Sequence, residues 1–242
     1  MTSLADVLTF PAAGVRHPGR HEVLEATFAR GDERIAAVVK KVPAGGGRDR
    51  AERSWVVARA LVARGIDTPE PLAAGRVGRE GWYVARRLEG AEQIRRWFLV
   101  RDGAGLPAPS LPYGLEEIVA ALARLARRLH DSGVFFRDFT DGNVLVTRGE
   151  SGPRLWLVDL DRARVGDAPI SFFLRCRDLA RPGLNRPEDL KLLLSRYFEP
   201  EPVPPAAAFC VPALRRRIVL WDDFKARARP WRKWRSGKGL SL

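Results

Sequence analysis

Cysteine is scarce: Cys176 and Cys210 are the only two in 242 residues. A disulfide framework or a thiolate zinc centre therefore lacks ligands, and a reducing compartment suits the chain. Three histidines leave an imidazole-rich metal centre equally short of donors. No apolar run reaches the roughly 18 residues that a spanning helix needs. The longest uncharged stretches, 104–115 and 202–214, are short and broken by prolines. The opening MTSLADVLTF has neither the basic start nor the long apolar core of a secretory signal, and none is expected. Acidic charge is also short, with 29 Asp and Glu against 42 Lys and Arg, a net +13. That excess leaves nucleic acid, an anionic membrane or a phosphorylated small molecule open as partners. At 45% hydrophobic and 29% charged residues, the composition is that of a folded chain. The length suits one domain of two lobes, or two small domains sharing a cleft.

The positive charge is uneven. Between Leu214 and Leu242 ten Lys and Arg stand against Asp222 and Asp223, which is +8 of the +13. Trp221, Trp231 and Trp234 lie in the same stretch. Indoles interleaved with cations suit a membrane interface, where the rings sit at headgroup depth and the cations meet lipid phosphates. The same composition suits nucleic-acid backbone contact or a solvated basic tail.

The first 90 residues are strand-rich. His21–Arg30 and Arg34–Val42 flank a turn at Arg30-Gly-Asp32. Ala44-Gly-Gly-Gly-Arg48 reads as a loop, and 49–64 as a helix stopped by Gly65. Leu72–Val77 and Trp82–Leu88 read as two more strands. Residues 101–114, rich in Gly and Pro, form a connecting loop. Ile118, Leu122, Leu125 and Leu129 then make the clearest apolar helical stripe, ended by Gly133. Val144–Val146 and Leu155–Val158 read as a buried hairpin, and helical patterns resume over 171–180, 187–198 and 206–228. The expected fold class is α+β and two-lobed. A small N-lobe of five strands and one helix spans 1–90, and a larger helical C-lobe with the basic tail spans 91–242.

The chemistry lies after the strong helix. Asp138 and Asn143 are five apart in a loop between a helix and a strand. Asp159 follows sixteen residues after Asn143, at the end of Leu-Trp-Leu-Val. Phosphoryl transfer needs such a set: one carboxylate to orient or accept the proton of an attacking hydroxyl, and an oxygen ligand plus a second carboxylate for Mg²⁺ on nucleotide phosphates. Asp, four residues, Asn, then an Asp on the next hairpin is the kinase spacing. The Asp-x-x-x-x-Asn element alone is weak; its ordering between helix, hairpin and second Asp makes it specific. Asp138 is assigned as the catalytic carboxylate, with Asn143 and Asp159 as metal ligands.

Lys40 and Lys41 end an alternating strand and face opposite ways, so only one can enter a cleft. Lys40, directly after Val38-Val39, is preferred as the phosphate-contacting cation. Its ion-pair partner is expected on the next helix, where Glu52 is the only interior acidic residue. No G-x-G-x-x-G precedes Lys40; Gly14 and Gly19 offer only a looser phosphate-covering turn, and Gly45–Gly47 follows the lysine.

These motifs resemble those of the lipopolysaccharide core kinases, the bacterial heptose kinases and related Kdo kinases, which share the protein-kinase-like fold. The resemblance covers roughly residues 20–200. It rests on Val38-Val-Lys-Lys41, Ala51-Glu-Arg-Ser-Trp55 with Arg64-Gly-Ile-Asp-Thr-Pro69, Phe136-Arg-Asp138, Leu157-Val-Asp-Leu-Asp-Arg-Ala-Arg164 and Cys176-Arg-Asp-Leu179. It implies an ATP- and Mg²⁺-dependent kinase of the lipopolysaccharide inner core or another anionic glycolipid. Such an enzyme would be cytoplasmic and peripheral at the inner membrane's cytoplasmic face, touching anionic lipid. It implies a hinge at Arg86-Arg-Leu88, where Arg86 and Leu88 would meet the adenine through their backbone. Asp178 would either brace the catalytic loop or cap a helix. Asp161 would be an extra metal ligand or, preferably, an arginine's ion-pair partner. The family's helix glutamate precedes the tryptophan, where this chain has Ser54, and Phe136 stands in place of a histidine. A protein or small-molecule kinase of the same fold, or a nucleotide-binding pseudokinase, is the alternative. Nucleic-acid binding is not expected, because no nucleic-acid motif accompanies the charge.

Overall fold

Alternation of apolar and polar side chains decides the N-terminal architecture. In a computed structural model, which describes residues 4–11, 16–17, 22–43 and 50–235, the first strands are β1 (Leu8–Thr9) and β2 (Arg16–His17). Both pair with β3 (Glu22–Arg30), which turns through Gly31 into β4 (Glu33–Pro43). Gly31 has φ +59°, a left-handed conformation that costs glycine nothing. Leu24, Ala26, Phe28, Ile35, Ala37 and Val39 all fall on the buried positions of this hairpin. After α1 (Arg50–Ala63), β5 (Pro71–Val77) and β6 (Glu80–Arg86) complete the sheet in the order β1-β3-β4-β6-β5. The sheet has six strands rather than the five expected; the four read from alternation are present, and the pairings at Leu8–Thr9 and Arg16–His17 are too short for alternation to reveal.

Helix α1 buries Ala51, Ser54, Val57, Ala58 and Leu61 along one face. It ends where the amides of Gly65 and Ile66 bond back to Val62 and Leu61, with Gly65 at φ +65°. Its apolar face does not belong to the sheet's core. Val57, Ala58, Leu61 and Ile66 join the larger core built by the elements that follow. The N-lobe helix is thereby fused to the C-terminal half, so a boundary near residue 90 does not separate the cores.

Those following elements are β7 (Glu92–Gln93), α2 (Arg95–Arg101), α3 (Leu115–Asp131), β8 (Val134–Phe135), β9 (Val144–Gly149), β10 (Gly152–Leu157), β11 (Arg164–Val165), α4 (Phe172–Leu179), α5 (Pro187–Phe198) and α6 (Pro205–Arg235). The hairpin β9–β10 takes β7 as a third strand, and β8 pairs with β11. The Glu117 carboxylate accepts the Gly114 N–H at the start of α3 and so pairs one otherwise free donor there. Ile118, Leu122, Leu125 and Leu129 are fully buried, as the apolar stripe requires. Four elements had no sequence signal: α2, which is held by buried Trp97 and Phe98, and the two-residue strands β7, β8 and β11.

Leu129→Ala should lower the unfolding free energy by about 2–5 kcal/mol, the cost of a cavity in a rigid core. Val62→Ala, at an exposed position of α1, should cost less than about 0.5 kcal/mol. Urea midpoints of the two variants check both values.

Candidate active site

The loop between β8 and β9 is held in a conformation it would not choose alone. Arg137 has φ +63°, a left-handed backbone that costs a non-glycine residue on the order of 1 kcal/mol or more. The Asp178 carboxylate over-determines it by accepting the Phe136 N–H at 2.8 Å and the Arg137 N–H at 3.0 Å. Asp178 is 1% exposed and lies in the last turn of α4, so it braces the loop and does not cap the helix.

Behind Asp178 sits a buried relay. The His130 ring nitrogen Nδ1 is 2.8 Å from the Tyr197 hydroxyl, which also accepts a hydrogen bond from Arg175 at 3.0 Å. The other ring nitrogen, Nε2, faces Asp178 Oδ2 at 3.6 Å, beyond hydrogen-bond range. Burial pushes the His130 pKa down, and it stays low despite the opposing Asp178 carboxylate.

From this brace the functional groups follow along the chain. The Asp138 carboxylate accepts a hydrogen bond from Arg162 at 3.1 Å. The Asn143 side-chain amide nitrogen donates to the Asp138 carbonyl at 2.8 Å, which fixes the side chain's orientation within the loop. The Asn143 carbonyl accepts the Val158 N–H at 3.0 Å, which ties the loop to the strand delivering Asp159. Asp159 is itself left-handed, at φ +63°. Lys40 crosses from β4 to form an ion pair with Asp159. Lys41 turns the other way and lies over the Trp82 ring, 5.0 Å from its centroid.

Asp161 is buried beside Asp159, with the Arg50 guanidinium 3.8 Å away. Burial pushes the Asp161 pKa up and Lys40 draws it back, but the neighbouring Asp159 charge adds to the rise. From α1, Arg53 donates to the Ala163 carbonyl at 3.2 Å and clamps the turn that follows.

Glu52 is not brought to Lys40. It is exposed and makes no ion pair among the described residues, and Lys40 meets Asp159 instead. The reason is helical phase: two residues before Ser54 is about 200° around the axis. Ser54 takes the inward position and donates to the Arg50 carbonyl at 2.9 Å. Arg86 ends β6, with its amide on the Glu70 carbonyl and its guanidinium on the Glu70 carboxylate at 2.7 Å. The Arg87 amide is taken by Ala36, and Leu88 is the second residue past the strand. The Gly14/Gly19 turn and Gly45–Gly47 lie outside the described residues. Arg50, Arg53, Arg162, His130 and Tyr197 were not assigned a role by sequence reasoning; Arg53 and Arg162 carried a signal, inside the 51–55 and 157–164 motifs.

Residues 32–181 match the sequence model of the lipopolysaccharide kinase (Kdo/WaaP) family. The chain belongs to this family. A 3-deoxy-D-manno-octulosonic acid kinase of Xanthomonas oryzae pv. oryzae (strain PXO99A) is 32% identical over 120 residues, 49% of this chain and 43% of that protein. The Haemophilus influenzae (strain PittEE) protein of the same name is 28% identical over 108 residues, 42% of this chain and 40% of its own. The matches thus span less than half the length of these curated relatives. A solved structure, WaaP in complex with acyl carrier protein, superposes with a TM-score of 0.60 at 22% identity, covering 86% of this chain and 88% of that one. That likeness shows the shared fold of the Kdo/WaaP family: α+β, two-lobed and kinase-like.

Two outcomes test the brace. Asp178→Ala should cost at least about 2 kcal/mol, because two buried N–H groups lose their acceptor; Asp178→Asn should recover part of it. Chemical denaturation reads both. The unfolded chain protonates His130 near pH 6.5, the folded chain only at lower pH. Stability from this group is therefore full above that value and is lost as pH falls below it. The urea midpoint should drop between about pH 7 and about pH 5, and His130→Gln should flatten that slope.

Proposed function

We propose that the chain is an ATP- and Mg²⁺-dependent kinase that phosphorylates a sugar hydroxyl, of heptose or Kdo, in the lipopolysaccharide inner core. The supporting observation is convergence: Lys40 and Asp159, 119 residues apart, pair at the end of the strand that Asn143 and Asp138 are tied to. The roles are those of the matching family motif. Asp138 receives the hydrogen bond of the acceptor hydroxyl and aims its oxygen. Arg162 fixes the rotamer of that carboxylate and presents its remaining donors to an anionic acceptor. Lys40 offers its ammonium to nucleotide phosphate oxygens, with Asp159 holding it at the cleft wall.

The donor set suits Mg²⁺. The Asn143 amide oxygen and the Asp159 carboxylate are hard oxygen donors. No cluster of three or more His, Cys, Asp or Glu among the described residues forms a metal cage. Mg²⁺ commonly takes one or two protein groups and fills its shell with phosphate oxygens and water. When bound, it neutralises charge on the phosphates during transfer. The Arg86 and Arg87 amides are already spent in the sheet, so Leu88 supplies the hinge backbone nearest the adenine. Catalysis rests on positioning and charge rather than on a covalent intermediate.

The excess of Lys and Arg suits an acceptor already rich in carboxylate and phosphate. No helix among the described residues is long and apolar enough to cross a membrane. The chain would work as a peripheral protein at the cytoplasmic face of the inner membrane, where its basic, Trp-bearing tail meets anionic lipid. The exposed Glu52 favours one other reading, nucleotide binding without transfer.

One experiment separates the two. Wild type and Asp138→Asn are given Mg·ATP and purified lipopolysaccharide core, intact or deacylated, and products are weighed by mass spectrometry. Wild type should add roughly 80 Da, one phosphoryl group. Asp138→Asn should be slower by about 10²–10⁴-fold with nucleotide affinity little changed. Nucleotide binding by wild type without any mass gain would sink the sugar-kinase reading. Asp159→Asn should weaken the Mg²⁺ dependence of nucleotide binding, read by titrating Mg²⁺ at fixed nucleotide.

A further inference from the structure

Helix α6 has an inner face and an outer one. Ala207 and Val211 are fully buried, and Leu214 and Ile218 pack on the same core. Phe209, Leu220, Trp221 and Phe224 point outward, with exposures of 75%, 59%, 56% and 60%. At about 100° per residue Phe209, Leu220 and Phe224 fall within about 60° of one another around α6, Trp221 flanks them, and Ala213 and Arg217 lie between them on the same side. Trp221 stacks on Phe224 with ring centroids 5.6 Å apart. Phe173, on the first turn of α4, is also exposed and lies on the same groove, a cleft of about 840 Å³ between α4 and α6. Arg177, Arg181, Arg216 and Arg217 line it. Asp222 is its one acidic lining residue, and Lys225 pairs with it at 3.1 Å while lying over the Trp221 ring.

We propose that the α4–α6 face is a docking surface for an anionic lipid bilayer. Exposed aromatic and aliphatic side chains on a monomeric chain mark an interaction site when they gather in one patch. Here the patch is interleaved with guanidinium groups. A bilayer interface satisfies both at once: rings enter to headgroup depth and cations meet lipid phosphates. Nucleic acid would reward the arginines and leave the apolar ridge wet. An acidic protein would need a complementary apolar groove and is the competing outcome below. The sequence beyond the patch continues the same chemistry, with Arg229, Trp231, Arg232, Lys233, Trp234 and Arg235.

The surface is mechanically close to the catalytic loop. Arg177 lies over the Phe135 ring at 5.5 Å and immediately precedes Asp178, whose carboxylate holds the loop. From α6, Arg215 donates to the Asn185 side chain at 2.6 Å and to the Arg181 carbonyl at 3.4 Å. In that same segment Gly183 packs so tightly on Asp141 that a Cβ would come within 2.4 Å of its carboxylate. Docking by this face would present the loop to a lipid-anchored acceptor, a consequence that rests on the kinase reading; the docking itself does not.

Vesicle co-sedimentation of the full chain tests the docking without ATP or lipopolysaccharide. Phosphatidylcholine vesicles with about 30% phosphatidylglycerol are compared with pure phosphatidylcholine, at low and high salt. Wild type should bind the anionic vesicles at least about tenfold more tightly, with a loss in high salt. Trp221→Ala with Phe224→Ser, and separately Arg216→Glu with Arg217→Glu, should each weaken binding about fivefold or more at an unchanged thermal midpoint. Lack of binding by wild type overturns the proposal. Equal binding by the variants also overturns it and moves the contact to residues beyond the patch. Retention on polyglutamate without vesicle binding overturns it in favour of an acidic protein. Vesicle binding lost in the variants, with no phosphoryl transfer by any form, supports the docking surface and removes only the kinase reading.

Discussion

Two backbone N–H groups on one buried carboxylate organise the loop that carries Asp138 and Asn143. Phe136 and Arg137 donate to Asp178, and without that acceptor the left-handed Arg137 would carry both strain and unpaired donors. With it, the loop leaves β8 at a fixed angle, Asp138 faces outward, and Asn143 turns back to bond the Asp138 carbonyl. The carboxylate in turn depends on its own wall of His130, Tyr197 and Arg175, which join α3, α5 and α4. A local loop geometry is thus underwritten by the packing of three helices.

The second half of the site depends on a charge balance instead. Asp159 and Asp161 lie side by side, one exposed enough to meet a ligand and one buried. Burial and mutual repulsion would make two full charges costly, and Lys40 and Arg50 offset part of that cost. Lys40 is the only contributor from the sheet. Because α1 shares its apolar face with the C-terminal core, the sheet carrying Lys40 is held against the loop carrying Asp159. Positioning a cation across a cleft requires such a joint, and the fused helix supplies it.

Much of this was legible in the sequence, for physical reasons that differ from part to part. The α3 stripe was plain because four leucine and isoleucine positions at helical spacing report one buried face. The Asp138–Asn143–Asp159 spacing was plain because loop and hairpin lengths leave little freedom between them. Alternation reduced Lys40 and Lys41 to a choice of one, and the pairing of β4 with its neighbours turns Lys40 to Asp159. The role of Asp178 stayed open, since a carboxylate near the end of a helix reads alike as a brace or a cap until its acceptor geometry is seen. Glu52 misled because residue type outweighed helical phase in choosing it. Two-residue strands and the short α2 left no period to detect. The basic tail was visible as composition, but its arrangement as one exposed apolar ridge among arginines emerged only once α6 had an inner and an outer face.

The most direct test of the central claim is a crystal structure of the chain with Mg²⁺ and a non-hydrolysable ATP analogue. The predicted result has the metal on the Asp159 carboxylate and the Asn143 amide oxygen, with the Lys40 ammonium moved from Asp159 onto a phosphate oxygen. The Leu88 backbone would lie at the adenine edge. A nucleotide bound elsewhere, or a metal that touches neither Asp159 nor Asn143, would contradict the assignment of this cleft as a phosphoryl-transfer site.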